Sequence, residues 1–200
     1  MTVTDPGSKR HYVSIAMATY NGARFLVEQL ESFAVQSRLP DELVVCDDAS
    51  TDDTVEILEA FMARAPFPVH IHLNQANVGY IKNFEKVLSL CEGDIIFLSD
   101  QDDVWESNKL EVIEKEFANP EVGMVYADAA VVDENLNALD KTMWQYVNFT
   151  DEKQKEFTGG KAFDLLIRNG YFLGSSMAFR AKFRDLILPI PLDIYYLHDN

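Results

Sequence analysis

The sequence predicts an α/β fold, in which a mainly parallel central sheet has helices on both faces. Short apolar runs alternate along the chain with amphipathic stretches of helical period, as in right-handed strand–helix–strand units. Breaks such as Pro40 and Pro66 fall between these segments. Polar clusters directly follow the first, second and fourth apolar runs, and ligands of parallel sheets bind beyond the carboxyl ends of the strands. The sequence therefore predicts a single site at one edge of the sheet.

The first three predicted strands are short apolar runs, and each is followed by a helix with one apolar face. A turn at 19–22 ends the first strand, and Leu26 and Leu30 begin an apolar repeat with helical spacing. After the second strand, Ser50 supplies typical helix-start chemistry, and Asp52 is expected to cap the helix. The predicted elements in this part are strands at 12–18, 42–46 and 69–73 and helices at 26–34, 55–62 and 80–90.

Two further apolar runs complete the predicted sheet. The fourth strand, at 95–98, leads into an acidic segment, and apolar residues then recur with helical spacing over 109–117. Pro120 follows that helix and precedes a fifth strand at 123–127. The regular alternation of strands and helices favours a parallel arrangement, because the helices supply the crossovers.

The alternation of strands and helices is weaker from Asp128 onwards. The polar run at 133–137 predicts a turn, either between two strands or between a strand and a loop. Residues 143–157 are aromatic and charged without a clear period, and we expect a mobile loop there. A further strand is predicted at 175–179.

Charge and composition exclude several classes of protein. Seventeen basic and 33 acidic residues give a formal net charge of −16 without a basic cluster, so a nucleic-acid partner is not expected. No apolar run approaches the roughly 20 residues that span a bilayer. Cys46 and Cys91 are expected to be reduced thiols in the core of a cytoplasmic protein. The polar segment at 1–11 predicts a disordered leader that precedes a single domain over 12–200.

The acidic segment after the fourth strand is the strongest functional signal. Asp100, Asp102 and Asp103 follow an apolar strand, and like charges held so close repel and raise one another's pKa. A divalent cation would neutralise them, and Mg²⁺ or Mn²⁺ prefers oxygen ligands that it shares with a phosphate. The alternative is an acidic loop that caps the helix beginning near Ser107.

Together these clusters resemble the inverting family 2 glycosyltransferases, which have the Rossmann-like GT-A fold. The resemblance covers nearly the whole chain, and the ordered pair of acidic motifs after the second and fourth strands is its most specific part. The run Phe-Leu-Ser-Asp-Gln-Asp-Asp-Val-Trp at 97–105 is similar to the branch that contains rhamnosyltransferases. The other matching motifs are Ala-Thr-Tyr-Asn at 18–21, Asp-Asp-Ala-Ser-Thr-Asp-Asp-Thr at 47–54, Asn-Val-Gly at 77–79 and His-Asp at 198–199.

The resemblance also implies a division of labour within the domain. Residues 12–127 would form the half that binds the nucleotide-sugar, and residues 128–200 the acceptor side. Family members continue into helices that complete the acceptor site, so we expect the domain to be truncated at the C-terminus.

The resemblance implies that the base and ribose of the donor lie against the first two strand ends, at Ala18, Thr19, Tyr20 and Asp48. A flat aromatic ring can stack on a base, and a carboxylate can accept from a base N–H or a ribose hydroxyl. The alternatives are a core or rim position for Tyr20 and, for Asp48, a carboxylate that receives backbone N–H groups of the following helix. Lys82 matches a base- or phosphate-contacting cation, although the family more often has Ala-Arg-Asn where this chain has Ile-Lys-Asn. A solvated surface lysine is the alternative for Lys82.

For the acidic segment, the resemblance implies that Asp100 lies near the ribose and that Asp102 coordinates Mn²⁺ or Mg²⁺ on the diphosphate. Asp103 would share either task. His198 and Asp199 match a catalytic pair of the family, in which the aspartate is the general base. Such a base takes the proton of the acceptor hydroxyl as the oxygen attacks the anomeric carbon.

The implied function is a metal-dependent inverting glycosyltransferase. It would move rhamnose or a hexose from a dTDP- or UDP-sugar to a hydroxyl of a glycan or lipid-linked acceptor. The implied setting is bacterial surface polysaccharide synthesis, in the cytoplasm, with peripheral contact at the inner face of the cell membrane. A non-catalytic fragment that binds nucleotide-sugar or glycan is the alternative. A metal-dependent phosphohydrolase is a weaker alternative, because its Asp-x-Asp motif would lie on the first strand rather than the fourth.

Overall fold

The computed structural model describes residues 10–162, 164–165 and 174–191. The strands in these ranges are β1 (Val13–Thr19), β2 (Glu42–Asp47), β3 (Val69–Leu73), β4 (Ile95–Ser99), β5 (Met124–Tyr126), β6 (Ala130–Val132), β7 (Ala138–Thr142) and β8 (Met177–Arg180). The α-helices are α1 (Leu26–Ala34), α2 (Thr54–Met62), α3 (Tyr80–Leu90), α4 (Lys109–Glu116), α5 (Met143–Tyr146), α6 (Asp151–Glu156) and α7 (Arg184–Ile187).

A six-stranded sheet in the order β3-β2-β1-β4-β8-β5 forms the centre of the molecule. The pairs β1–β2, β2–β3 and β1–β4 are parallel, whereas β8 runs antiparallel to both of its neighbours, β4 and β5. The predicted mainly parallel α/β sheet is therefore confirmed. The strands β6 and β7 pair separately as an antiparallel hairpin around the predicted turn at 133–137.

The core has two layers, because alternate residues of each central strand point to opposite faces of the sheet. On β1, Ile15 and Met17 belong to one buried cluster, and Ala16 between them belongs to the other. The first cluster takes its helical side chains from α1, α2 and α4, including Leu30. The second takes Val87 and its neighbour from α3. Helices therefore cover both faces, as the sequence predicts.

Most predicted elements are confirmed to within a residue or two at their ends. The third strand and the helix at 80–90 have the predicted bounds, whereas the helix predicted at 109–117 ends at Glu116. The strand predicted at 175–179 covers Met177–Arg180, and a short helical turn at Gly174–Ser176 precedes it. Such differences are expected because the ends of elements are the least well determined by local pattern.

The prediction of a loop over 143–157 is wrong. Two short helices, α5 and α6, occupy this stretch. Thr142 begins α5 with a capping box, in which its hydroxyl accepts the N–H of Gln145 at 3.4 Å and the Gln145 side chain accepts the N–H of Thr142 at 3.1 Å. Helices of four and six residues are too short for an apolar period to be visible in the sequence.

Only the end of the predicted leader at 1–11 lies within the described residues. The N–H of His11 donates to Glu114 at 3.0 Å, and the carbonyl of His11 accepts from Arg38 at 2.7 Å. Contacts with the domain therefore begin before the predicted first strand. No helix of the described ranges is both long and apolar enough to cross a membrane.

Candidate active site

The sheet order creates a crevice at the carboxyl ends of β1 and β4. From β1 the chain continues to β2 and β3 on one side, and it then returns to place β4 on the other side. Such a reversal of strand order leaves an opening between the loops that leave the two strands, and ligands of α/β sheets bind there. Asp47 pairs with Thr19 and Ser99 pairs with Met17, so the acidic segments after β2 and β4 flank the end of β1 at similar height.

The side chain of Gln101 bridges the crevice. Its Oε1 accepts the N–H of Tyr20 at 2.9 Å, and its Nε2 donates to the carbonyl of Tyr20 at 3.1 Å. A Cβ on Gly22 would collide with this amide, so the absence of a side chain at residue 22 allows the bridge to form. This role of Gln101 is not evident from the sequence, because an amide between two aspartates carries no distinctive local signal.

Asp100 lies half-buried at the end of β4, at the corner formed with Asp102 and Asp103. Burial, followed by the charges of Asp103 and then Asp102, raises the pKa of Asp100 from 3.8 to about 6. A hydrogen bond from the Ser175 side chain and the positive charge of Lys109 act in the opposite direction. The carboxylates therefore lie close enough together to repel one another, as the sequence predicts.

Lys109, the first residue of α4, is a cation whose charge acts to lower the pKa of Asp100. Its Nζ donates to the carbonyl of Ser175 at 2.9 Å and lies 3.8 Å from the centroid of the Trp105 ring. Burial lowers the pKa of Lys109 to about 8, although Asp103 and Asp100 act to raise it. Lys109 was not predicted from the sequence, and the need of a buried carboxylate for a counter-charge is the signal that could have identified it.

The donor set of the acidic corner fits a hard divalent cation. Magnesium is usually held by one or two carboxylates together with waters and substrate phosphates, rather than by a complete protein cage. In the described part of the chain, no cluster of three or more His, Cys, Asp or Glu side chains has the geometry of a metal site. Any cation at Asp100, Asp102 or Asp103 would therefore take its remaining ligands from water or from the phosphates of a bound substrate.

Asp48 is 2% exposed and anchors the loop before α3. Its carboxylate accepts the side-chain amide of Asn74 at 2.8 Å and the backbone N–H groups of Val78 and Gly79 at 2.9 Å each. Asp48 thus receives backbone N–H groups, as in the alternative to nucleotide binding. These groups belong to the loop before α3 and not, as expected, to the helix that follows Asp48 in the sequence. A direct contact between Asp48 and a nucleotide remains a prediction.

Thr19 and Asp52 have structural partners. The hydroxyl of Thr19 donates to Asp47 at 2.8 Å, and Thr19 is 1% exposed. Asp52 accepts the N–H of Thr54, two residues further on, at 3.2 Å and the N–H of Ala23 at 3.1 Å. Asp52 thus connects the start of α2 to the turn after β1. The N-cap of α2 is Asp53, so the predicted cap at Asp52 is wrong by one position, although Asp52 accepts the N–H of the first helical residue. Direct contact between Thr19 and a sugar donor stays a prediction. It would have to involve the backbone of Thr19, because the hydroxyl is bonded to Asp47.

The remaining predicted donor residues have different surroundings. Tyr20 is 46% exposed at the rim of the crevice, and Ala18 is half-buried beside it. Lys82 lies on the exposed face of α3, and its Nζ donates to Glu85 at 2.6 Å. Its role in donor binding stays a prediction. The predicted general base, Asp199, and its neighbour His198 lie outside the described residues.

A second concave feature lies on the side of the sheet that carries β5. It is an open groove of about 510 Å³, bounded by the helices α5 and α6 and by the residues that precede them. Its lining residues are Asp128, Thr142, Trp144, Gln145, Asn148, Phe149, Thr150, Asp151 and Gln154.

Comparison with known proteins gives one family model that matches most of the chain. Residues 14–183 match the model of "Glycosyl transferase family 2". The chain is 38% identical over 99 residues to the dTDP-rhamnosyl transferase RfbG of Shigella flexneri, which covers 47% of this chain and 34% of that protein. The chain therefore spans about a third of the length of this relative.

Two solved structures share the fold. The mannosyltransferase PcManGT from Pyrobaculum calidifontis, solved with GDP-Man and Mn²⁺, has a TM-score of 0.65 and 22% identity, over 93% of this chain and 49% of that one. Residues 1–349 of TarS from S. aureus, solved with UDP, have a TM-score of 0.63 and 20% identity, over 87% of this chain and 48% of that one. At these identities the likeness establishes a common fold.

Proposed function

The chain belongs to glycosyl transferase family 2, and on that premise we propose that it transfers a sugar from a nucleotide diphosphate to an acceptor hydroxyl. Residues 12–127 bind the donor in this proposal, and residues 128–200 form the acceptor side. One observation carries the proposal. The half-buried Asp100 and its neighbouring carboxylates stand at the crevice between β1 and β4, where an α/β sheet binds its ligand.

Binding of the donor follows from the surroundings of this crevice. The exposed ring of Tyr20 offers a face on which a base can stack, and the loop anchored by Asp48 forms the adjoining wall. The Asp100–Asp103 corner would repel the diphosphate unless a cation stood between them. Asp102 is the proposed ligand of Mn²⁺ or Mg²⁺, with Asp100 and Asp103 beside it. When bound, such a cation stabilises the negative charge that develops on the departing diphosphate.

The chemical step needs a base on the acceptor side. We assign this role to Asp199, which takes the proton of the acceptor hydroxyl as the oxygen attacks the anomeric carbon from the face opposite the diphosphate. Such a single displacement inverts the anomeric configuration. Lys109 contributes positive charge beside Asp100, and this limits the repulsion between the corner and an approaching diphosphate.

The proposed donor is dTDP-rhamnose, with UDP-hexoses as the second choice. The support for rhamnose is the 38% identity to a protein named as a dTDP-rhamnosyl transferase. The proposed acceptor is a glycan or a lipid-linked glycan of a bacterial surface polysaccharide, reached from the cytoplasmic face of the membrane.

Calorimetric titration with dTDP and with UDP, each with and without Mn²⁺, tests the donor site. We expect wild-type binding to strengthen at least tenfold with Mn²⁺, and Asp102→Ala to remove this dependence. Asp140→Ala is the control, because it removes an exposed carboxylate on β7. If the wild-type protein binds neither dTDP nor UDP, the proposed function is contradicted. An unchanged effect of Mn²⁺ in Asp102→Ala would contradict the metal assignment alone.

A further inference from the structure

The groove on the β5 side opens at the same edge of the sheet as the proposed donor site. The strands β4 and β5 both pair with β8, and Phe97 and Val125 are both opposite Ala178. Asp100 is three residues after Phe97, and Asp128 is three residues after Val125. The two aspartates therefore lie at the same level beyond the edge of the sheet. Because one strand separates β4 from β5, the two positions are about 10 Å apart, or two inter-strand spacings.

The lining of the groove combines an aromatic ring with neutral polar and acidic groups. Its hydroxyl, amide and carboxylate groups can exchange hydrogen bonds with the several hydroxyls of a sugar. None of the described residues that line it is lysine or arginine, so the groove offers no cationic side chain to a phosphate or a carboxylate. Its volume of about 510 Å³ lies within the roughly 300–1,000 Å³ that is usual for small-molecule sites.

The aromatic wall of the groove is held in place by its neighbours. The Trp144 ring packs edge-on against Phe149, with centroids 5.2 Å apart and an interplanar angle of 85°. Phe149 is itself 4% exposed and also contacts the ring of Phe157 at 6.0 Å. At the backbone, the N–H of Trp144 donates to Asp128 at 2.9 Å. The tryptophan is therefore fixed from two sides, and a planar apolar surface held in this way suits a sugar ring.

We propose that this groove binds an uncharged sugar residue of the acceptor, with Trp144 as the packing surface and Asp151 as a hydrogen-bond acceptor for sugar hydroxyls. The proposal rests on the proposed function only in naming the sugar as part of the acceptor. Recognition of the saccharide itself needs neither nucleotide nor metal. The separation of about 10 Å between Asp128 and Asp100 places this sugar next to, rather than within, the donor site.

The two tryptophans of the chain provide a direct test by nuclear magnetic resonance. Each gives one indole N–H signal, and Trp144→Phe assigns them while it keeps an aromatic ring against Phe149. Trp105 is 4% exposed in the core and serves as an internal reference. The ¹⁵N-labelled protein is titrated, without nucleotide or divalent cation, with methyl rhamnoside, methyl glucoside, methyl N-acetylglucosaminide and the anionic methyl glucuronide.

We expect at least one neutral glycoside to shift the Trp144 signal saturably, with the Trp105 signal unchanged, and to bind more tightly than the glucuronide. Asp151→Asn should weaken that binding at least threefold, because a hydrogen bond to a carboxylate is stronger than one to an amide. Tyr146→Phe is the control, since Tyr146 is 73% exposed and does not line the groove.

Three results would overturn the proposal: no saturable shift of Trp144 with any neutral glycoside, binding of the glucuronide at least as tight as that of the neutral sugars, or unchanged affinity in Asp151→Asn. The proposed function is tested separately, by nucleotide binding. Nucleotide binding without glycoside binding would refute the groove assignment alone, whereas glycoside binding without nucleotide binding would refute the donor site alone.

Discussion

Replacing Asp100 by asparagine should stabilise the protein at neutral pH. The carboxyl group of Asp100 has a pKa of about 6, against an ordinary value of 3.8, chiefly because it is buried and then because Asp103 and Asp102 repel its charge. Above pH 6 the folded protein must hold this charge in an unfavourable place, whereas the unfolded chain exposes it to water. Asparagine has a similar shape and no charge, so this cost disappears in Asp100→Asn.

The direction and the size of this change in stability follow from the pKa of Asp100 in the unfolded chain and in the folded protein. Between about pH 4 and pH 6 the unfolded chain has lost the Asp100 proton while the folded protein keeps it, so the free energy of unfolding falls as pH rises through this window. The difference of roughly two pH units is worth about 3 kcal/mol at about 1.36 kcal/mol per unit. This net shift already includes the attraction of Lys109. Because Asp100 is partly exposed and solvent screens its charge, about 3 kcal/mol is an upper bound.

Urea unfolding in the presence of a chelator, at pH 7.5 and at pH 3.5, measures this effect. We expect Asp100→Asn to raise the free energy of unfolding by about 1–3 kcal/mol at pH 7.5 and to leave it within about 0.5 kcal/mol of wild type at pH 3.5. Asp53→Asn is the matched control, because Asp53 is exposed and its side chain makes no capping hydrogen bond at the start of α2. A loss of stability at pH 7.5, or an equal gain at both pH values, would refute the reasoning.

Two further substitutions, the first with a matched control, test the packing of the sheet and the loop before α3. Gly93→Ala should lower the free energy of unfolding by about 1–3 kcal/mol in urea, because a Cβ would lie 2.5 Å from Oγ and 2.7 Å from the backbone N of Ser14. Gly159→Ala, where a Cβ meets nothing within 4 Å, should change it by less than about 1 kcal/mol, and equal effects would contradict the steric argument. Asp48→Ala removes the acceptor of the Val78 backbone N–H, so hydrogen exchange at Val78 should accelerate about tenfold or more, and unchanged exchange would show that Asp48 does not anchor the loop.

The sequence contains enough local information to predict the strands and the edge at which the site lies. The run Ile95–Leu98 is apolar on both faces, as a central strand must be, and its polar continuation at Asp100 can only leave the sheet. The helix at 80–90 is equally evident, because its apolar residues repeat over three turns. Burial and helical period are local properties, so these predictions are confirmed.

Pairing between distant residues is not a local property, and here the sequence was less informative. Nothing in residues 177–180 indicates that they form an antiparallel strand between β4 and β5. The contact of Lys109 with Ser175 depends on that placement, and so does the groove on the β5 side. Nor does the sequence show whether Asp48 contacts a ligand or a loop, because both roles require the same carboxylate at the same strand end.

The amide of Gln101 links the loops that form the two walls of the crevice. Between β1 and β4 the strand pairing ends at Met17 and Ser99, and beyond that point the side chain of Gln101 joins the two loops through both backbone groups of Tyr20. This link thus depends on the length of one side chain, whereas the spacing of the strands is fixed by the sheet. Replacing Gln101 by the shorter asparagine, or adding a side chain at Gly22, would change the link between the two loops while leaving the sheet intact.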